Sequence, residues 1–277
     1  MKIGRFWIVL LVLISLSLVS MPAAAGVSPN ARLLQRPEWD GAIVSGNWLS
    51  GEFRYQQYDI GNEDMDILVL GPTFATSLPD IPKLELGSRL WLINADYDRY
   101  DGETGLGDID CWGKYQFLNQ NNFLLSGGFL LTLPTGDEGI LHPRATGELN
   151  IEVFGAGRYH INSLFALVGH FGIRKNGDAD IKLERNGFGR DFKSELDGEA
   201  QIEIGGGLIY QAQPNLNILG EFNIATEAYD DLDSDIELTG GVEYMLQPDI
   251  SLKGGLGMGL DDGAPGMELI GACTFVF

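Results

Sequence analysis

Cys111 and Cys273 are the only cysteines of the 277-residue chain, and they lie far apart in the sequence. Small secreted proteins that depend on disulfides carry more cysteines, at regular spacings. The pair therefore predicts no disulfide framework. We expect two small apolar side chains instead.

Long apolar runs are also missing after residue 25, so the sequence predicts no membrane-spanning helix, which needs about 20 apolar residues. The one marked run, residues 6–19, follows two basic residues and precedes three alanines at residues 23–25. This order is typical of a secretory signal peptide. We expect a signal peptide over residues 1–25, cleaved before Gly26; the alternative is an uncleaved anchor.

Basic residues are scarce: 18 Lys and Arg stand against 39 Asp and Glu, for a formal net charge of −21. Such a balance repels nucleic acid and argues against an anion-selective pore. The acids lie in loops and on one side of strands rather than in long runs. We therefore expect no nucleic-acid partner.

Catalytic and cofactor motifs are absent as well. The chain has no G-x-S-x-G elbow, no phosphate-binding G-K-[ST] loop and no zinc-ligand spacing. Paired loop acids at residues 230–231 and 261–262 are interpreted as solvated carboxylates, with calcium binding or bridging to lipopolysaccharide as the alternative. We expect no enzyme, no cofactor and no metal, and an outer-membrane hydrolase is the less favoured hypothesis.

What the sequence does contain is a two-residue alternation of apolar and polar side chains from about residue 50 to the end. Successive side chains of a strand point to opposite faces, so one face of these strands is uncharged and the other carries the charges. A half-buried soluble sheet and a transmembrane barrel both show this pattern. Twelve strands are predicted, at residues 49–59, 65–78, 83–97, 107–118, 122–133, 148–160, 164–175, 198–211, 214–226, 234–246, 249–260 and 266–277.

Strand length and loop length decide between a soluble sheet and a transmembrane barrel. The predicted strands have about 11–15 residues, whereas soluble strands usually have about five or six. Short turns alternate with mostly longer acidic loops, which is typical of outer-membrane barrels, and tyrosines or phenylalanines precede several short turns. The sequence predicts an all-β fold, a transmembrane antiparallel up-and-down β-barrel of about 12 strands over residues 49–277.

Residues 26–48 show little periodicity. We expect a short periplasmic lead-in, and the sequence leaves open whether it enters the pore.

Two short motifs carry a resemblance to a known family. They are Gly105-Leu106-Gly107-Asp108, continuing to Lys114-Tyr115-Gln116-Phe117, and Leu133-Pro134-Thr135-Gly136-Asp137. Together they resemble the outer-membrane barrel family associated with the meta-cleavage pathway of phenol degradation. The resemblance implies a channel for small, often aromatic or apolar, solutes. The last strand, ending in Phe277, also resembles the C-terminal signal that the barrel-assembly machinery recognises.

Assigning strand faces gives the side chains that we expect to line the pore or contact a solute. Asp108, Asp110 and Lys114 lie on one predicted face, and Trp91 with Trp112 offers a hypothetical patch for a ring-shaped solute. The candidates are Glu85, Arg89, Trp91, Asp108, Asp110, Trp112, Lys114, Glu152, Arg158, His170, Arg174, Glu203, Glu221, Glu243 and Lys253.

The sequence thus predicts an outer-membrane channel of a Gram-negative bacterium for passive passage of small solutes. A water-filled acidic lumen favours cations or neutral solutes. The alternative is a largely occluded structural or adhesive barrel that acts through its long loops. Expected partners are outer-membrane lipid and lipopolysaccharide, the assembly machinery and a small-molecule solute.

Overall fold

The computed structural model describes residues 26–60, 63–98, 100–120, 122–137, 140–183, 192–230 and 232–277. The signal peptide predicted for residues 1–25 lies outside the described residues. Within these ranges, no helix has the length and apolar character needed to cross a membrane.

The described residues form sixteen strands. Their bounds are β1 Asn47–Ile60, β2 Glu63–Leu78, β3 Ile81–Arg89, β4 Leu92–Tyr97, β5 Glu103–Leu106, β6 Ile109–Gln120, β7 Phe123–Leu133, β8 Asn150–His160, β9 Phe165–Lys175, β10 Ala179–Leu183, β11 Phe192–Leu196, β12 Ala200–Gln213, β13 Leu216–Ala225, β14 Asp235–Gln247, β15 Ile250–Gly259 and β16 Met267–Val276.

The sheet closes on itself because β1 pairs antiparallel with both β2 and β16. Every other wall strand pairs with its sequence neighbours in the wall. β3 and β4 form one wall strand, β5 and β6 form the next, and β10 pairs only with β11. Over the described residues the wall is therefore a closed antiparallel barrel of twelve strands, and the predicted fold class is confirmed.

All twelve predicted wall strands are present, with ends that differ by a few residues. Two features were not predicted. The wall strand predicted at residues 83–97 is interrupted between Arg89 and Leu92. The next wall strand, predicted at residues 107–118, begins earlier than predicted, at Glu103. The loop after β9 also contains the hairpin β10–β11, which stands apart from the barrel wall.

The outer surface of the wall is apolar. Large aliphatic and aromatic side chains of alternate residues are exposed on almost every wall strand, as with Phe129, Val153 and Ile204 at 50%, 64% and 53% exposure. A soluble protein rarely exposes an apolar surface of this extent, whereas a membrane barrel covers it with lipid. Aromatic rings stand at the short-turn end of this surface: Tyr115, Phe117, Phe123, Tyr159, Tyr244 and Phe277. Cys111 and Cys273 are free.

The lumen is filled by the segment that precedes β1. Residues 26–46, called the plug below, enter at the short-turn end, where the Val27 N–H donates to the Ser163 carbonyl. The plug reaches Glu237 and Glu268, which lie near the long-loop ends of β14 and β16, and then returns. It leaves at the short-turn end, where Asn47 pairs with Phe277.

These contacts answer the question that the sequence leaves open, because the segment lies inside the pore and not below it. A purely periplasmic lead-in does not agree with the burial of Leu34, Glu38, Trp39 and Asp40, each at most 3% exposed. Irregular backbone is tolerated at membrane depth only where protein or a cavity surrounds it. The barrel interior provides such surroundings.

Candidate functional site

Wall side chains form hydrogen bonds with the backbone of the plug around residues 32–35. The Glu221 carboxylate accepts the N–H groups of Leu34 and Gln35, the second at 3.0 Å. Lys253 donates to the Arg32 carbonyl at 2.9 Å. The plug has no regular secondary structure, so these wall groups replace the hydrogen bonds that a helix or sheet would supply.

The returning half of the plug is held in the same way. The Lys114 ammonium donates to the carbonyls of Glu38 and Ala42 at 3.0 and 3.2 Å, and it pairs with Glu85 at 3.1 Å. Lys114 and Glu85 are both 1% exposed. Two predicted pore-lining residues therefore face the plug instead of an open channel.

Three ion pairs also fix the plug to the wall. In each pair a plug side chain meets a wall side chain of opposite charge, with N–O distances from 2.5 to 3.1 Å: Arg36–Glu203, Glu38–Arg89 and Asp40–Arg158. The buried pairs are strong constraints on position, since removing one partner leaves a buried charge without compensation.

Gln35 lies between two wall carboxylates. Its side-chain amide donates to Glu237 and to Glu268, both at 2.6 Å, and to the Thr239 hydroxyl at 3.1 Å. Its amide oxygen accepts from Arg54, which also pairs with Glu268 at 3.1 Å. All hydrogen-bonding groups of this amide are therefore used, and the far end of the plug has one defined position.

The indole of Trp39 occupies a recess in the wall that we call the aromatic recess, formed by Phe154, His170 and Gly172. Trp39 is 0% exposed and stacks on Phe154, with ring centroids 5.3 Å apart and planes 10° apart. His170 meets the indole edge-on at 4.8 Å. A Cβ atom at Gly172 would overlap the Trp39 ring, so the absence of a side chain there makes the recess deep enough.

The remaining predicted wall charges pair with one another or lie beside the plug. Arg174 contacts Glu152 at 3.0 Å, and Glu243 lies 3.8 Å from Lys253 while accepting from Asn217 at 2.9 Å. The ion pairs of β8–β9 and β14–β15 follow the strand register.

Trp91 and Trp112 do not form an open patch for a solute. Trp91 is 1% exposed, and the guanidinium groups of Arg89 and Arg144 lie over its ring, at 4.5 and 4.2 Å from the ring centroid. Its N–H donates to Asp110 at 3.0 Å. Trp112 is 3% exposed and packs on Trp48. An open patch does not agree with this structure, because both indoles are buried.

Asp108 differs from the other candidates, because it holds a loop. Two residues of one wall strand, 90 and 91, lie opposite three residues of the next, 107–109. The extra residue on the second strand makes a β-bulge. The Asp108 N–H consequently leaves the sheet and donates to the Arg144 carbonyl at 2.6 Å. The following loop, residues 134–149, is called the inner loop below.

The carboxylate of Asp108 fastens both ends of the inner loop. It accepts the N–H groups of Thr135 and Gly136 at 3.1 and 2.7 Å, and those of Thr146 and Gly147 at 2.8 and 3.3 Å. The two motifs that carry the family resemblance therefore bind each other. Glycine is required at position 136 in this arrangement, since a Cβ there would lie 2.8 Å from the Asp108 carboxylate.

The inner loop places the imidazole of His142 at the long-loop end of the lumen. His142 is 5% exposed; its Nδ1 accepts the Arg144 N–H at 3.1 Å, and its Nε2 lies 3.0 Å from the Gln56 amide oxygen. Burial, with the nearby charges of Arg144 and Arg54, holds the pKa of His142 well below its usual value. The ring is therefore neutral at pH 7.

One cavity beside the plug is small. A cavity of about 30 Å³ lies between the plug and the hydroxyls of Ser50, Thr73, Ser251 and Thr274. That volume holds a water or two and is too small for an aromatic ring. No group of three or more metal-binding side chains was found among the residues that the structure describes.

The structure thus brings fourteen of the fifteen predicted residues to the lumen side, against the plug or one another, while Asp108 binds the inner loop. Sequence reasoning missed the plug residues altogether, because a segment without periodicity shows no face. It also missed Glu52, Arg54 and Gln56, although their two-residue spacing on β1 is the signal that identified the others.

Comparison with known proteins identifies the fold. No family model matches the chain, and no curated protein sequence matches it. The COG4313 outer membrane channel from Pseudomonas putida F1 has a similar structure, with a TM-score of 0.70 at 14% identity over 87% of this chain and 98% of that one. The chain has an outer-membrane barrel fold.

Other barrels of this fold have different roles. The KdgM porin, in complex with disordered oligogalacturonate, matches with a TM-score of 0.52 at 12% identity over 82% of this chain and 99% of that one. The transport unit of the autotransporter AIDA-I from Escherichia coli matches with a TM-score of 0.55 at 11% identity over 84% and 90%. Because channels and autotransporter units share the fold, the choice of function depends on the lumen.

Proposed function

We propose that this protein is an outer-membrane channel of a Gram-negative bacterium for small aromatic or apolar solutes, and that an entering solute displaces the plug. The observation that carries the proposal is the position of Trp39 in the aromatic recess. The wall there binds an aromatic ring, and the ring that it binds belongs to a segment that blocks the lumen. Lipid and lipopolysaccharide would surround the apolar outer surface, and the strand ending in Phe277 would serve the assembly machinery.

The contacts of the plug suit a removable segment. The wall holds it mainly with ion pairs and side-chain hydrogen bonds. Among the described residues, backbone–backbone hydrogen bonds join the plug to the barrel only near its two ends, from the Val27 N–H to the Ser163 carbonyl and from the Ser77 N–H to the Gly46 carbonyl. Water can replace such polar contacts as they break, so each one contributes only a modest net free energy, about 0.5–1.5 kcal/mol for a typical hydrogen bond. A solute that fills the recess competes directly with Trp39.

The resemblance of the two motifs to the phenol-degradation barrel family supports the same class of solute. The COG4313 channel and the KdgM porin support a channel over a catalyst. Among the residues that the structure describes, the buried carboxylates of the lumen pair with cationic, amide or hydroxyl groups, and we propose no enzymatic activity.

Trypsin can test this proposal through Arg32, which is 6% exposed in the plug. In detergent, the intact protein should resist cleavage after Arg32. Adding 2-phenylethanol should release the plug and allow this cleavage. Mass spectrometry of the N-terminal fragment detects it. The matched control, 2-cyclohexylethanol, has the same size and hydroxyl group but no aromatic ring.

The aromatic solute should act at a lower concentration than its saturated analogue, and the Phe154→Leu variant should reduce that preference. Equal action of both alcohols would contradict an aromatic site. Protection of Arg32 at all concentrations of both would contradict displacement, and it would favour the occluded structural barrel.

A further inference from the structure

The aromatic recess has a carboxylate beside it that the plug neutralises. In the sheet register Gly172 is paired with Phe154 on one side and with Glu203 on the other. The ring-stacking residue and the carboxylate therefore stand on the two wall strands that flank the floor of the recess. This arrangement is built from wall residues alone.

The plug occupies both halves of this arrangement at once. Trp39 fills the recess, and Arg36 of the same segment reaches Glu203, with an N–O distance of 2.6 Å. The Arg36 guanidinium also lies over the Trp39 ring, 5.1 Å from its centroid. The wall thus binds a cation and an aromatic ring that lie close to each other.

Glu203 has no second ion pair among the residues that the structure describes. It is 6% exposed, and its ion pair is with Arg36. Arg174, a cation of the neighbouring strand β9, is bound to Glu152 at 3.0 Å. Withdrawal of the plug therefore removes the ion-pair partner of Glu203 beside an emptied aromatic recess, and a cation that enters in place of Arg36 restores the pair.

We infer that the recess is a binding site for aromatic cations, in which a ring stacks on Phe154 and an ammonium or guanidinium group pairs with Glu203. The inference rests on the proposed function and narrows its solute class. An aryl group joined to ammonium by two carbons reproduces the arrangement of Trp39 and Arg36. An aromatic anion would meet Glu203 as a like charge and bind poorly.

The test compares the concentrations at which two solutes half-release the plug, again by trypsin cleavage after Arg32. The solutes are 2-phenylethylammonium and 2-phenylethanol, which share a ring and a spacer and differ in charge. In the native chain the cation should act at about a tenfold lower concentration, as a hydrogen-bonded charge pair implies. An aromatic anion, 3-phenylpropionate, should act at a higher concentration than the alcohol.

The Glu203→Gln variant supplies the control. This substitution also removes the Arg36 ion pair and loosens the plug, but that change affects both solutes equally. The effect of the carboxylate is measured by a ratio, the half-release concentration of 2-phenylethanol divided by that of 2-phenylethylammonium. This ratio should fall from about ten in the native chain to about one in the variant. The Glu243→Gln variant, whose carboxylate pairs with Lys253 on another part of the wall, should keep the native ratio.

Each outcome has a distinct meaning. A ratio of about ten that Glu203→Gln abolishes supports the site for aromatic cations. A ratio near one in the native chain, with release by both solutes, contradicts this inference and leaves the aromatic channel in place. Release by neither solute contradicts the channel proposal and the inference together.

Discussion

The Trp39 indole of the plug stacks on the Phe154 ring of β8, with 5.3 Å between centroids and 10° between planes. A parallel stack of this kind adds about 0.5–1.5 kcal/mol beyond the burial of the rings. One wall side chain therefore fixes the part of the plug that fills the middle of the lumen.

Replacing Trp39 by Ala should destabilise the plugged state by about 3–5 kcal/mol, because the substitution empties a packed recess. The variant should show more frequent openings in planar bilayers than the native protein. Phe129→Ala is the matched control, since Phe129 is 50% exposed on the outer surface and should leave the openings unchanged. Unchanged openings in the Trp39 variant would show that the recess does not hold the plug.

The ion pair between Asp40 and Arg158 should act as a unit. Asp40→Ala alone leaves the Arg158 guanidinium buried without its partner, which costs about 3–5 kcal/mol. The double variant Asp40→Ala with Arg158→Leu should be less affected than the sum of the single variants. Protection of Arg32 from trypsin reports both effects, and strict additivity would mean that the pair is not formed.

Asp108 should control the inner loop. Asp108→Ala removes an acceptor of four backbone N–H groups, and hydrogen bonds to a charged group contribute about 1.5–3 kcal/mol each. Hydrogen exchange should accelerate at Thr135, Gly136, Thr146 and Gly147 while the strands keep their protection. If these amides exchange at the native rate, another group holds the loop.

The predictions differ in how far the sequence alone could have supported them. Wall strands obey a two-residue period, and the lipid-facing and inward positions follow from it without knowledge of contacts. Glu203, Glu221 and Glu243 could therefore be placed inside the barrel from their parity. Their partners could not be predicted, because Arg36 and Leu34 belong to a segment whose course has no period.

Asp108 shows a second limit. The alternation that places Asp110 and Lys114 in the lumen extends to Asp108 only if the strand stays regular. A β-bulge at positions 107–109 shifts the pairing by one residue, and no residue in the sequence marks it. The motif around Asp108 identified the right region, while its role as the anchor of the inner loop required the structure.

His142 should make the inner loop sensitive to acid. Its pKa in the closed loop is lowered by burial and by the charges of Arg144 and Arg54, so protonation favours the released loop. The neutral ring stabilises the closed loop above about pH 6.5, the ordinary histidine pKa, and this stabilisation is lost as the pH falls below that value.

Hydrogen exchange at Leu141, whose N–H donates to the Tyr97 hydroxyl at 2.9 Å, measures the effect. After correction for the intrinsic rate, protection should fall between pH 7.5 and pH 5 in the native protein. The His142→Gln variant keeps a neutral side chain and should lose most of this dependence. An equal fall in the variant would assign the acid sensitivity to another group.

The central claim is that residues 26–46 close a pore that the wall alone leaves open. Single-channel recording of a chain that begins at Ser45, beside the full chain, tests it most directly. The account predicts stable, large conductance steps for the shortened chain and small or rare steps for the full chain. Equal conductance of the two folded proteins would contradict it.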